Sequence, residues 1–242
     1  TLATKQPAMT APAMAAKLKD IGTPEAVNAF VDKVAHLMRS QAAAVLGNVL
    51  VVFPVVLLLS VGIGLLLGHP MLGAKEAAYT LHSLSLLGPT LLFAGFTGCL
   101  LFASSIIAGW VENWFVLRRL DSAMRYNPSV TGLLGVERAG RWAHFMRNNI
   151  SGFASNISLG FMLGLIPPIM AFFSLPLEVR HVTLSAGQLA AASAAYGVQT
   201  VFMPAFWWAV AAIPLIAAMN LGVSFYLAYQ LALRAHNVSG VQ

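Results

Sequence analysis

Four stretches of this sequence carry no Asp, Glu, Lys or Arg: Ser40 to Ala74, Ala77 to Val111, Asn148 to Leu177 and Val182 to Leu233. Each exceeds the roughly 20 apolar residues that cross a bilayer core of about 30 Å as a helix. One such stretch fits the buried helix of a large soluble protein; four within 242 residues do not. Charged residues make up 9% of the chain and hydrophobic ones 58%, whereas ordinary soluble domains are about a quarter charged. Lipid is therefore the expected solvent for most of the surface, and in lipid the backbone must close its own hydrogen bonds as helix.

The net charge of +6 says less than its distribution. Lys5, Lys17, Lys19, Lys33 and Arg39 precede the first leg; Arg118, Arg119, Arg125, Arg138, Arg141 and Arg147 lie between the second and third; Arg234 follows the fourth. Lys75 and Arg180 remain for the hairpin tips, beside Glu76 and Glu178. The positive-inside rule then puts both termini and the central connection in the cytoplasm. A basic face against a membrane reads as anionic headgroup contact, and nucleic acid is not expected as a partner.

The chain repeats itself. Ala35, His36, Met38 and Arg39 return 108 positions later as Ala143, His144, Met146 and Arg147, and the same offset pairs Asn48 with Asn156 and Phe53 with Phe161. Each unit opens on a mixed segment, Thr23 to Arg39 and Thr131 to Arg147, expected to lie along the interface before turning into the membrane. In the first, Thr23 and Pro24 read as an N-cap followed by proline at the first helical position. Because each unit crosses twice, the copies should share an axis along the membrane normal. The return legs are too long for single spans, since 35 residues of helix measure about 52 Å. A break is expected near Gly88 and Pro89 in the first copy. In the second it should fall in the stretch Ser185 to Gln199, as an external helix or a re-entrant piece.

Prolines 54, 167, 168, 204 and 214 fall within apolar legs as kinks. The pairs Gly64 and Gly68, and Gly160 and Gly164, have the small-xxx-small spacing of close helix contacts. Cys99, the single cysteine, reads as a packing residue, and no disulfide or cysteine metal site can form within the chain. The first residue is Thr1, which suggests a processed N-terminus or a part of a longer polypeptide.

Glu112, next to Asn113, is the acid closest to the interior of an apolar leg, where a carboxylate is costly and a functional candidate; Arg118 and Arg119 nearby offer it a plain ion-pair role instead. Asn48 and Asn156 lie nine residues beyond their arginines, about 13 Å along a helix. They either bond to each other or line a polar path, with Asn220, Gln199, Ser104 and Ser105 as candidate neighbours. His36 with Arg39, and His144 with Arg147, read as interface anchors beside Arg118 and Arg119. His69, His82 and His181 near the tips make a weak metal signal. No phosphate loop, nucleophile elbow or His-Glu-x-x-His motif occurs, so neither a cofactor nor a catalytic residue is assigned.

The second copy carries Asn148-Asn149-Ile150-Ser151-Gly152-Phe153, Gly160-Phe161-Met162-Leu163-Gly164-Leu165-Ile166-Pro167 and Leu175-Pro176-Leu177-Glu178-Val179-Arg180-His181-Val182-Thr183-Leu184-Ser185. This text resembles the C-terminal membrane part of a bacterial family called site-specific recombinase transmembrane proteins, most specifically over Phe145 to Ala190. The resemblance implies a longer protein with a soluble region ahead of the membrane part, and by its name DNA strand exchange. The residues speak against that chemistry here: the tyrosines after His144 are Tyr196, Tyr226 and Tyr229, all in apolar legs. The resemblance also marks Glu178, Arg180 and His181 as a candidate functional tip outside the membrane.

The expected fold is an all-α membrane protein of about four transmembrane helices in two tandem repeated hairpins, with interfacial amphipathic helices and kinked or broken return legs. Residues 1–22 form a linker, 23–120 the first repeat, 121–130 a cytoplasmic linker, 131–236 the second repeat and 237–242 a tail. The expected function is a non-enzymatic anchor, scaffold or assembly component of the bacterial inner membrane, working with other membrane subunits or as a homo-oligomer and binding lipid between the repeats. A small secondary transporter using Glu112 and the Asn48/Asn156 pair is the alternative, and the recombinase of the family name a third.

Overall fold

The computed structural model describes residues 24–235, so the 1–22 linker, Lys5, Lys17, Lys19 and the 237–242 tail lie outside the described residues. Within that range the chain is all-helical: α1 (Pro24–Leu67), α2 (Ala74–Leu84), α3 (Thr90–Leu117), α4 (Leu120–Tyr126), α5 (Pro128–Leu134), α6 (Val136–Phe172), α7 (Val182–Tyr196), a 3-10 turn (Gly197–Phe202) and α8 (Pro204–Ala235). Four helices, α1, α3, α6 and α8, are long and apolar enough to cross a membrane. Their outer faces show it: Leu65 is 80% and Leu66 87% exposed, with Leu58, Phe161, Phe172 and Trp207 also bare. Water disfavours such a belt, and lipid does not.

The order long helix, short helix, long helix occurs twice, as α1–α2–α3 and α6–α7–α8. The breaks in the return legs fall where the small and proline-rich stretches suggested. Residues 85–89 separate α2 from α3, and the 3-10 turn separates α7 from α8. At 15 residues, α7 measures about 22 Å and is short of a full crossing.

Two expectations change. The mixed segments do not turn before the apolar legs: α1 runs unbroken from Pro24 through Arg39, and α6 from Val136 through Arg147, with only residues 131–134 set apart in α5 by Gly135, whose φ is 77°. The short pieces at this basic end are instead α4 and α5, the latter capped by Asn127, whose side chain accepts from the Ser129 N–H at 2.9 Å. Pro204 is no kink, since it opens α8 at a position where the missing N–H costs no bond; Pro54, Pro167, Pro168 and Pro214 do lie inside helices.

Packing is asymmetric. Helices α3 and α8 lie side by side in the same direction. A Cβ on Gly98 would stand 2.7 Å from Val223 Cβ and 3.0 Å from the Met219 carbonyl, so only glycine permits this approach. Gly160 and Gly164, by contrast, face open space, and Gly64 meets only the loop after its own helix. The close contact thus belongs to Gly98 and not to the regularly spaced pairs, because four-residue spacing marks a face but not what lies opposite. Cys99, next door, is exposed. The main core gathers Ala77, Leu81 and Leu84 of α2, Val182, Ala186 and Leu189 of α7, and Phe206, Ala209, Ile213 and Ile216 of α8. Helix α1 leans on α7, and α6 on α3.

Candidate functional site

After α6 the chain reverses at Ser174, whose φ of 56° is left-handed, and residues 175–181, which are neither helix nor strand, return along α6 after a tight turn closed by the Leu177 N–H on the Leu175 carbonyl at 2.8 Å. Val179 packs against Leu100, Leu101 and Leu159, and His181 reaches a cavity that Leu159 also lines. From Phe172 back to Leu159 is about 20 Å along the helix, so the segment lies beside the apolar length of α6 before α7 begins. Helix α7 then follows α1, with Gly187 opposite Val52 and Val56.

A non-helical backbone among apolar helices has peptide groups that only protein can satisfy. Two side chains do so. Thr97 Oγ1 of α3 accepts from the Arg180 N–H at 2.8 Å. Asn220 of α8, 2% exposed, accepts from the Val182 N–H at 3.1 Å and donates Nδ2 to the carbonyls of Arg180 at 2.8 Å and Ala94 at 2.9 Å. The Asn220 amide is thereby fully engaged as a clamp joining α3, α8 and the turn into α7.

Arg180 does not project from an external tip. It is 4% exposed, its guanidinium donates to the Ser83 carbonyl at 3.0 Å and pairs with Glu178, and it lies 5.9 Å from the Phe93 ring centre. A buried charge needs such partners. Tyr79 completes the group by donating its hydroxyl to Glu178 at 2.7 Å. That hydrogen bond, with the carboxylate charge, holds the Tyr79 phenol above its ordinary pKa. Arg180, Glu178 and Tyr79 line a cavity of about 620 Å³ against the last turns of α6.

On the other side of the segment, His181 faces a second cavity, of about 540 Å³, between α1 and α6. Asn48 and Asn156 line it from opposite helices, with Gln41, Asn220 and Ser224. The paired asparagines therefore meet across one space without bonding to each other; the Asn156 amide donates to the Gly152 carbonyl at 2.9 Å, which leaves its oxygen free to face the cavity. His181 Nδ1 and Ser224 Oγ are buried with no hydrogen-bond partner. Buried polar atoms are rarely left so, and here they point to a polar ligand group or water.

Glu112 and Asn113 are not part of this arrangement: both are exposed on α3 towards the basic end, and neither lines the cavity. Arg118, Arg119, His36, Arg39, His144 and Arg147 are exposed at the same end, where Arg147 bonds Asp121 at 3.3 Å and Asn148 meets His144 at 2.9 Å. Ser104 is buried 3.4 Å from Ser155 Oγ, Ser105 bonds its own helix, and Gln199 is exposed in the 3-10 turn. Among the described residues no three His, Cys, Asp or Glu side chains gather as a metal site. Thr97, Ser224 and Tyr79 went unmarked in the sequence, as their roles depend on a backbone segment arriving from far along the chain.

These features define a helical membrane protein in which residues 175–181 fold back along α6 beside a cavity that carries several polar groups. The chain belongs to the site-specific recombinase family, whose model matches residues 1–242. No curated protein and no solved structure matches it.

Proposed function

We propose that this chain is a non-enzymatic component of the bacterial inner membrane that holds the polar end of an amphipathic lipid in the cavity between α1 and α6, and anchors or assembles a larger protein around it. One observation carries the reading: Asn48, Asn156, His181 and Ser224 present hydrogen-bonding groups to one cavity among helices whose outer faces are bare hydrocarbon. A volume near 540 Å³ is in the range of small-molecule sites. The asparagines stand at matching positions of the 108-residue repeat, which supports a duplicated unit with its site between the copies. The basic end, with Arg118, Arg119, Arg138, Arg141 and Arg147, is read as cytoplasmic by the positive-inside rule and as facing anionic lipid.

The family name speaks of site-specific recombination, yet the three tyrosines after His144 lie in or beside apolar helices. Tyr196 donates to the Ala74 carbonyl at 2.9 Å, Tyr229 stacks on Phe225, and Tyr226 sits bare on the apolar face of α8. We therefore assign no strand-exchange chemistry to these residues. The test is lipid retention. Purified protein should keep bound phospholipid, measured by mass spectrometry, and Gly160→Leu should strip it, because a side chain there enters the cavity without clashing. Equal retention in that variant would remove the proposal.

A further inference from the structure

The two cavities adjoin. Leu163 and Gly164 of α6 and Leu184 of α7 line both, and this shared wall is the neck between the asparagine cavity and the cavity of Arg180, Glu178 and Tyr79. Together they follow α6 from Asn156 to Ala171, about 22 Å of a hydrocarbon core about 30 Å thick. Along this line polar groups succeed one another: Asn48 and Asn156, then His181, then Gln188, Arg180 and Glu178. The row opens sideways, since Asn156, Gly160 and Gly164 are exposed while α1 packs chiefly on α7 and α6 on α3. A polar row open to hydrocarbon on one side suits a molecule whose head moves along the row while its tails stay in the bilayer.

We infer that the groove passes phospholipid headgroups between the two leaflets. This rests on the reading that the asparagine cavity takes a lipid, and adds the substrate class and a downhill activity. The charges of the far cavity decide the headgroup. Arg180 and Glu178 neutralise each other, so the passage offers paired opposite charges and no net field, which fits a zwitterion with phosphate and ammonium better than an anion. Phosphatidylethanolamine is the occupant the groove suits. The neck gates the movement: Gly164 leaves it open, and a Cβ there meets no atom within 4 Å.

The test places the purified full chain in vesicles of phosphatidylethanolamine and phosphatidylglycerol that carry an acyl-labelled phosphatidylethanolamine, with an impermeant quencher outside. Wild-type protein should expose inner-leaflet label that protein-free vesicles protect, and labelled phosphatidylglycerol should cross more slowly. Gly164→Leu, with Leu184→Trp as an independent way to fill the neck, should slow crossing by about tenfold or more, equivalent to about 1.4 kcal/mol on the barrier, while bound lipid is retained. Protected label with wild-type protein that still retains lipid in a Gly160-dependent manner overturns the translocation activity alone. Loss of both overturns the lipid reading with it. Crossing unchanged in both neck variants overturns the route.

Discussion

Replacing Asn220 by leucine probes the joint on which the folded-back segment depends. The side chain makes three bonds, to the Val182 N–H and to the carbonyls of Arg180 and Ala94. Leucine has nearly the same size and none of this chemistry, so the Val182 N–H and Arg180 carbonyl are left in an apolar interior. Orphaned buried groups cost about 1–3 kcal/mol each, giving about 2–6 kcal/mol for the two. Bonds inside membrane proteins average nearer 0.6 kcal/mol, and three of them give about 2 kcal/mol. The two routes meet near 2 kcal/mol, which is the predicted minimum loss, read from reversible unfolding in mixed micelles. A local probe should agree: in a Cys99→Ser background, a cysteine in place of His181 should react faster with maleimide once Asn220 is leucine. Asn48→Leu is the control, since Asn48 lines the cavity but clamps no backbone. If Asn220→Leu falls within about 0.5 kcal/mol of that control, and labelling is unchanged, the clamp argument is wrong.

Gly98→Leu should destabilise the protein by about 1–3 kcal/mol through overpacking against Val223 and Met219, whereas Gly160→Ala should leave the melting temperature in detergent unchanged. Glu178→Gln, which leaves the buried Arg180 without its counter-charge, should cost about 3–5 kcal/mol, whereas Arg180→Met should cost less because the Glu178 side chain is 33% exposed, and the double replacement should recover most of the loss; chemical denaturation of all three variants checks this. Glu112→Gln should leave lipid retention at the wild-type level, because that carboxylate lies outside both cavities. In a spectrophotometric phenol titration, the component lost on Tyr79→Phe should titrate above the ordinary tyrosine value. Since the folded pKa is the raised one, the Tyr79–Glu178 contribution is complete below the ordinary phenol pKa and fades as pH climbs through the raised value.

Uncharged runs and helix breakers made the membrane class, the four long helices and the short α2 and α7 legible, because lipid constrains composition residue by residue. The 108-residue offset makes Asn48 and Asn156 legible as a pair, but whether they bond each other or line a common space depends on how α1 and α6 are held apart. Arg180 is legible from the resemblance alone, and its burial is not, since an arginine in an apolar chain normally seeks water. Its burial depends on Glu178, Ser83 and Phe93, and that arrangement exists only once residues 175–181 have folded back. Gly160 and Gly164 misled for a related reason. Their spacing describes one helix face, while the emptiness opposite depends on α1 leaning towards α7. Glu112 drew attention by position along a leg, yet its facing is set by the packing of α3 on α8 and α6.

The most direct measurement is a density map of the complete protein in a lipid nanodisc at a resolution that shows side chains. The account predicts residues 175–181 folded inside the bilayer and a lipid-shaped density entering between α1 and α6, its polar end against Asn48, Asn156 and His181. A map with α1 packed directly on α6, or with Arg180 in the aqueous phase, would contradict it.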